Sequence, residues 1–331
     1  MRGYHRLVVL CCAALCVPLL VPLVTGRVFV WDDLGAFHLP VRHLYREALR
    51  AGDSVLWTPA LFSGTYLFGE GQAGMAHPFH WLLYRWLPLG AAFNIELASS
   101  YLVALAGMWL LLRRCVSGEA ALFGAMVFAF SGFNLQHLGQ MNAVAVAAHL
   151  PWILLAIHAL LTSPARQGRA VAFTAVAFLF ASEMLLGYPQ YVWLTLFAAG
   201  WFILWLLTRT TQRWRLLLLG WAGVLGACIA SVQLLPTVDV LRHSVRALTT
   251  PEFRMTYSLA PIDVVQLWSP YAFAAVGHDY GIYNSAFCTA ALTWILIRWP
   301  ALGRRDLTFA LLALVGIAFV LALGRYGGVY R

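Results

Sequence analysis

The feature that most constrains this chain is a succession of apolar runs, each stopped by arginine or by a polar turn. A helix of about 20 apolar residues spans the hydrocarbon of a bilayer and satisfies its own backbone hydrogen bonds there. Such runs are read at 7–24, 93–112, 119–133, 143–161, 170–187, 190–207, 216–235, 283–299 and 307–323. They predict an all-α polytopic membrane protein with nine transmembrane helices as the working count, forming a single integral membrane domain over 1–331.

Composition agrees. Charged residues make up 11% of the chain and hydrophobic ones 62%, against about 25% charge in an ordinary soluble domain. The formal charge of +9 comes from 22 basic residues, all of them arginine. They stand mostly at the ends of the apolar runs, which marks membrane topology rather than a nucleic-acid face, so no nucleic-acid partner is expected. The six cysteines lie in or beside apolar runs without metal-ligand spacing, so a disulfide framework is not expected. The run 7–24 follows Arg2 and Arg6 and lacks a small-x-small cleavage site. It reads as an uncleaved first helix.

Orientation follows from the arginines. With the N-terminus inside, Arg2, Arg6, Arg113, Arg114, Arg166, Arg169, Arg209, Arg213, Arg215, Arg298, Arg304 and Arg305 fall on the cytoplasmic side. The short outer turns near Gln136–Asn142 and Gly187–Gln190 carry none, as the positive-inside rule requires. Two long loops, about 26–92 and 236–282, are then outside, and they hold most of the acids and histidines. Loops of that length between membrane helices tend to be functional, so the chemistry is expected on the outer face.

The first outer loop opens with an acidic pair, Asp32-Asp33, directly after the first helix. Paired carboxylates at a membrane border invite a functional reading; the alternative is an acidic cap on the segment that follows. That segment, Leu39 to Arg50, places Leu, Tyr and Ala opposite Arg42, Arg46 and Arg50. It reads either as a helix on the membrane surface facing anionic headgroups or as a packed amphipathic helix. Trp81, Tyr84 and Trp86 read as interfacial anchors before the second crossing.

Short motifs then recur in one order along nearly the whole chain. After the acidic pair come Leu39-Pro40, Ala51-Gly52-Asp53, Leu56-Trp57-Thr58-Pro59, Phe62-Ser63-Gly64 and the stretch Gln72 to Pro78. Phe130-Ser131-Gly132-Phe133, His137-Leu138-Gly139-Gln140-Met141-Asn142 and Leu150-Pro151-Trp152 follow. Gly187-Tyr188-Pro189-Gln190, Gln233-Leu234-Leu235-Pro236-Thr237 and Ser244-Val245-Arg246 complete the series. Together they resemble the YfhO-type family of bacterial polytopic membrane proteins, which is similar to glycosyltransferases of the GT-C type.

The resemblance implies a multi-pass enzyme of the bacterial cytoplasmic (inner) membrane with its active face outside. It would take a sugar from a polyprenyl-phosphate carrier and transfer it to a cell-envelope glycan or lipid acceptor. The characteristic acid of such enzymes lies just after the first helix, where Asp32 and Asp33 stand. Family members usually continue with further helices, so this chain is expected to be truncated, an N-terminal portion.

Transfer from a phospholipid-linked sugar needs a base for the acceptor hydroxyl, positive charge for the departing phosphate and an apolar groove for the lipid. Asp32 or Asp33 is the expected base, and the sequence does not choose between them. The pair could instead hold a divalent cation, since hard cations favour carboxylate oxygen. Arg242 and Arg246, at i and i+4, are expected on the phosphate, with Arg42 and Arg46 as the alternative clamp. His137, Gln140, Asn142 and Gln190 come from two outer turns and are expected to line a sugar pocket. Glu183, inside an apolar run, is expected in a structural pairing.

No Walker loop, Rossmann fingerprint, His-Glu-x-x-His zinc motif or nucleophile elbow competes with this reading. The alternatives are a transporter or flippase of lipid-linked sugars and an inactive fragment that needs a partner chain. A transporter would carry its polar groups near the bilayer midplane. Here they gather at the outer rim.

Overall fold

A computed structural model describes residues 2–256, 258–267 and 305–328. The run expected at 283–299 lies outside the described residues. Among the described residues, seven helices are long and apolar enough to cross a membrane: Arg6–Thr25, Leu89–Leu112, Gly118–Gly139, Met141–Thr162, Arg166–Leu185, Pro189–Leu207 and Arg215–Arg242. They coincide with the first seven expected runs. A shorter apolar helix, Asp306–Ala322, stands at the last of them. Among the described residues all regular structure is helical, apart from one isolated β-bridge between Thr58 and Thr65.

In chain order the helices are α1 (Arg2–Thr25), α2 (Leu39–Ala51), α3 (Pro78–Trp86), α4 (Leu89–Leu112), α5 (Gly118–Ala129), α6 (Gly132–Gln136) and α7 (Met141–Ala147). Then come α8 (Leu150–Thr162), α9 (Arg166–Leu185), α10 (Pro189–Leu207), α11 (Arg215–Arg242), α12 (Pro251–Arg254) and α13 (Arg305–Ala322). Residues 2–130 and 137–244 form one compact unit, and 131–136 with the described residues from 245 onward form a second.

In the first unit, α4 packs on α5, α9 on α8, and α11 on α9. Lipid tails are as apolar as leucine, so these contacts gain from close packing rather than from escape from water. The seam is accordingly built from small side chains: Ala156, Ala172, Val176, Ala177, Ala199 and Ala222 are buried together with Ile153, Ile157 and Leu160. A second cluster joins Leu19 of α1, Leu34, Phe93, Leu97 and Tyr101 of α4, and Met141 and Val144 of α7.

Helix ends follow local chemistry. The Ser117 side chain accepts a hydrogen bond from the Ala120 amide and starts α5. Pro151 divides the run at 143–161 into α7 and α8, because it cannot donate within a continuing helix but suits a first turn. At the C-terminus of α8 the buried Arg215 donates to the Leu161 carbonyl at 2.7 Å.

Two boundaries differ from expectation. Helix α4 begins at Leu89 rather than 93, so Glu96 lies two turns inside it. Helix α11 continues through Pro236 to Arg242, as membrane helices tolerate proline where other groups satisfy the freed backbone. In the second unit, the Leu259 amide donates to the Ala322 carbonyl at 2.8 Å and Arg325 donates to the Met255 carbonyl at 3.0 Å, joining the 255–259 stretch to the end of α13.

Candidate functional site

The loop between α1 and α4 is an ordered cap rather than a linker. Its central helix, α2, is strongly amphipathic and turns Val41, Arg42 and Tyr45 inward. Arg42 is 1% exposed and Glu96 of α4 is 3% exposed. Arg42 donates from Nε to Oε2 of Glu96 at 3.0 Å and from Nη2 to Oε1 at 2.5 Å, a bidentate pair. Its remaining Nη1 donates to the Ala73 carbonyl. Tyr84 of α3 donates to Glu96 Oε2 at 2.5 Å, and Nε2 of His80 lies 3.2 Å from Oε1. Tyr45 donates to the Met75 carbonyl at 2.8 Å, which fixes the far side of the same stretch. One carboxylate thus gathers α2, α3, α4 and the backbone near Ala73.

Burial disfavours charge on Arg42, but the adjoining Glu96 outweighs it and holds the guanidinium charged. The histidines respond in the opposite sense. Burial, helped by the Arg42 charge, lowers His38 to about 4. Burial lowers His77 to about 3, with His80 and His149 adding to it. Burial also lowers His80 to about 4, against the pull of Glu96. Burial raises the carboxyl of Glu70.

A second polar chain ties the loop to the membrane helices. His77 Nε2 lies 2.9 Å from Ser182 Oγ on α9, and His149 Nε2 lies 2.8 Å from the same hydroxyl. Gln233 of α11 donates to the Phe68 carbonyl at 2.8 Å, and Asn142 donates to the Gln72 carbonyl at 3.4 Å. Gly187 has φ +84°, and a Cβ there would meet the Gly71 carbonyl oxygen, so the loop lies directly on the start of α10. Glu183 is fully buried on α9, beside Thr195 of α10.

This anchoring positions the acidic pair. Leu34–His38 forms a π-helical turn that runs straight into α2, so the rod held by Arg42 begins at Asp33. Leu34, at the front of that rod, is fully buried among α1, α4 and α7 residues. Asp33 precedes the turn in helical conformation and its side chain makes no capping bond, so the capping role weighed from sequence is absent. Asp32 is exposed and has φ +55°, a left-handed conformation that aspartate tolerates better than most residues. Its carboxylate lies on Gly139: a Cβ at 139 would fall 2.9 Å from Asp32 Oδ2. Among the described residues neither carboxylate is committed to a hydrogen bond or ion pair.

Around that contact the structure brings together several of the sequence-expected residues. His137 stacks edge-on to Tyr191, with ring centroids 5.9 Å apart, and Gln140 Oε1 accepts from Tyr188 at 3.1 Å. Both belong to the same turn as Gly139, on which the Asp32 carboxylate lies. Asn142 faces the loop backbone instead, and Gln190 is exposed at the start of α10. The arginines divide. Arg42 is internal, locked to Glu96, and not on a headgroup-facing surface. Arg46 binds Glu47 at 2.8 Å and the Leu87 carbonyl at 3.3 Å. Arg242 is exposed at the end of α11, while Asp239 lies 3.7 Å from His243. The Arg246 side chain lies outside the described residues.

Glu96 and His80 were not singled out by the sequence reading, and Tyr84, expected as an interfacial anchor, is instead fully buried with its hydroxyl on Glu96. Glu96 had a signal: it is the only acid in the apolar helix Leu89–Leu112, and acids in such helices rarely lack a partner. Among the described residues no group of three or more His, Cys, Asp or Glu converges as a metal site.

Residues 10–322 match the family model described as bacterial membrane protein YfhO. No curated protein and no solved structure matches the chain.

Proposed function

The chain belongs to the YfhO family of bacterial membrane proteins, and from that premise we propose that it transfers a sugar from a polyprenyl-phosphate carrier to a cell-envelope acceptor outside the cytoplasmic membrane. The observation that carries the reading is the Asp32 carboxylate: exposed, uncommitted among the described residues, and set against the turn that bears His137 and Gln140. A buried ion pair and a π-helical turn hold the rod behind it, which is the preorganisation a general base requires.

In the proposed reaction an acceptor hydroxyl oxygen attacks the anomeric carbon of the donor sugar. Its proton passes to the Asp32 carboxylate. The bond from that carbon to the carrier phosphate breaks, and the electron pair leaves on the phosphate oxygen. Arg242 stabilises that departing charge, since a guanidinium matches phosphate oxygens and stabilising the leaving group lowers the barrier. His137 and Gln140 bind sugar hydroxyls beside Asp32. Asp33 sits behind Asp32 at the start of the rod and serves as its neighbour rather than the base. Arg42 and Arg46 hold the loop.

Transfer from a synthetic polyprenyl-phosphate sugar, measured on protein in nanodiscs, tests the assignment. Replacing a general base with its amide lowers the rate on the order of 10²–10⁴-fold. Asp32→Asn is expected in that range and Asp33→Asn milder, both with normal membrane abundance. Near-normal transfer by the single and double variants would overturn the reading, whereas lowered abundance with intact activity per molecule would mean a folding role.

A further inference from the structure

Away from the acidic pair, α2 and the turns after it enclose a cavity of about 260 Å³. Its lining includes Tyr45, Glu47, Asp53, Trp57, Thr58 and Met75, none of which the proposed transfer uses. Three properties of this cavity point to one kind of ligand.

The first is an exposed indole. Trp57 is 57% exposed. Its ring lies against Gly64 and occupies the space a side chain there would take: a Cβ on Gly64 would fall 2.2 Å from Trp57 Cζ2. Gly64 has φ +125°, a conformation other residues rarely adopt. Next to the indole, Thr58 and Thr65 exchange backbone hydrogen bonds at 3.0 and 2.8 Å and pin the two sides of the turn. An indole packed on one side against Gly64 and open to solvent on the other offers a stacking surface.

The second is the polar lining. The Asp53 carboxylate accepts no hydrogen bond among the described residues. Glu47 is engaged on one side only, by Arg46 at 2.8 Å, and is 55% exposed. Thr58 Oγ1 accepts from the Ala60 amide at 3.3 Å and keeps its proton for donation. Tyr45 has its hydroxyl on the Met75 carbonyl and so offers ring surface alone. The lining therefore accepts more than it donates, and its charge is negative. A phosphate would be repelled.

The third is size. About 260 Å³ is below the range of roughly 300–1,000 Å³ usual for drug-sized ligands. It suits one ring rather than a chain.

We propose that this cavity is a binding subsite for a neutral pyranose unit of the glycan acceptor. The apolar face of the ring lies on Trp57 and its hydroxyls donate to Asp53 and Glu47. That the sugar is the acceptor's rests on the transferase reading above; the binding of a pyranose ring does not.

The test uses the full chain in nanodiscs, with saturation-transfer NMR of methyl α-glucopyranoside, methyl α-galactopyranoside and methyl α-mannopyranoside. Choline and inorganic phosphate serve as cationic and anionic probes. At least one glycoside should receive saturation, with at least tenfold weaker binding in Trp57→Ala and measurable weakening in Asp53→Asn. Asp53 is exposed, so its variant should keep the wild-type thermal midpoint and remain informative even where Trp57→Ala fails to fold. Gly64→Ala, which displaces the indole, should weaken binding like Trp57→Ala. The proposal is overturned if no glycoside binds, if these variants bind normally, or if choline binds in place of the glycosides. Displacement of the glycoside by the polyprenyl-phosphate sugar would move the site to the donor and overturn the acceptor assignment. Glycoside binding that depends on Trp57, in a protein without transfer activity, would leave the subsite standing and remove the transferase reading.

Discussion

Arg42 and Glu96, 54 residues apart, meet as a bidentate ion pair that is buried from both sides. The pair joins α2, in the loop after α1, to the first membrane helix after that loop, and Tyr84 and His80 close around the same carboxylate. Desolvating both charges offsets much of their attraction, so the value of the pair lies in where it fixes α2. Removing one partner strands the other.

Arg42→Gln or Glu96→Gln is therefore expected to destabilise the protein by about 3–5 kcal/mol. The double replacement Arg42→Met with Glu96→Leu should recover much of that loss. Thermal midpoints in detergent, followed by size-exclusion chromatography, report both effects. Single variants that melt within a degree or two of wild type would show that the loop is held by its other contacts.

Acid should loosen the same region. His38, His77 and His80 have folded pKa values of about 4, 3 and 4, each lowered chiefly by burial, against about 6.5 when unfolded. The folded state then binds fewer protons, so their contribution is fully present above 6.5 and is lost as pH falls from there toward the folded values. Each unit of difference corresponds to about 1.4 kcal/mol for a group that stays neutral. Glu70, raised by burial, works in the opposite sense. A thermal midpoint that falls between about pH 7.5 and pH 5, and falls less in His77→Gln, is the expected result. A flat profile would contradict it.

The membrane runs were legible because length, apolarity and flanking arginine are properties of contiguous sequence. Asp32-Asp33 was legible for the same reason, as an acid pair at a run's edge. The fate of Arg42 was not, because helical periodicity gives the face a residue occupies but not the partner that face meets. Arg42, Arg46 and Arg50 share a stripe, yet Arg42 goes inward because Glu96 waits there, while Arg50 is exposed. The left-handed turn at Asp32 and its seat on Gly139 likewise depend on two segments far apart in the chain. Neither segment announces the other.

The orientation inferred from the arginines has its own test. In cells, on a variant with its native cysteines replaced, Ser54→Cys should react with a membrane-impermeant maleimide without permeabilisation. Labelling only after the inner membrane is opened would invert the topology and place the acidic pair in the cytoplasm, away from any lipid-linked donor outside.

Gly139→Ala distinguishes the two aspartates without replacing either. Gly139 is not among the residues with positive φ, so alanine suits its backbone. What the new methyl meets is the Asp32 carboxylate, 2.9 Å away at Oδ2 and 3.2 Å at Cβ. A carboxylate is the mobile end of its side chain and can swing aside, so the thermal midpoint should change little. If Asp32 is the base, that displacement matters, because misplacing a reacting group by about 1 Å lowers rate on the order of 10²-fold. The expected signature is a fall in kcat with donor KM nearly unchanged, since the proposed reaction assigns the carrier phosphate to Arg242 and not to Asp32. The larger Gly139→Val should deepen the loss. Were Asp33 the base instead, Gly139→Ala would leave kcat near wild type while Asp33→Asn abolished it, and the assignment would pass from the exposed carboxylate to the one behind it.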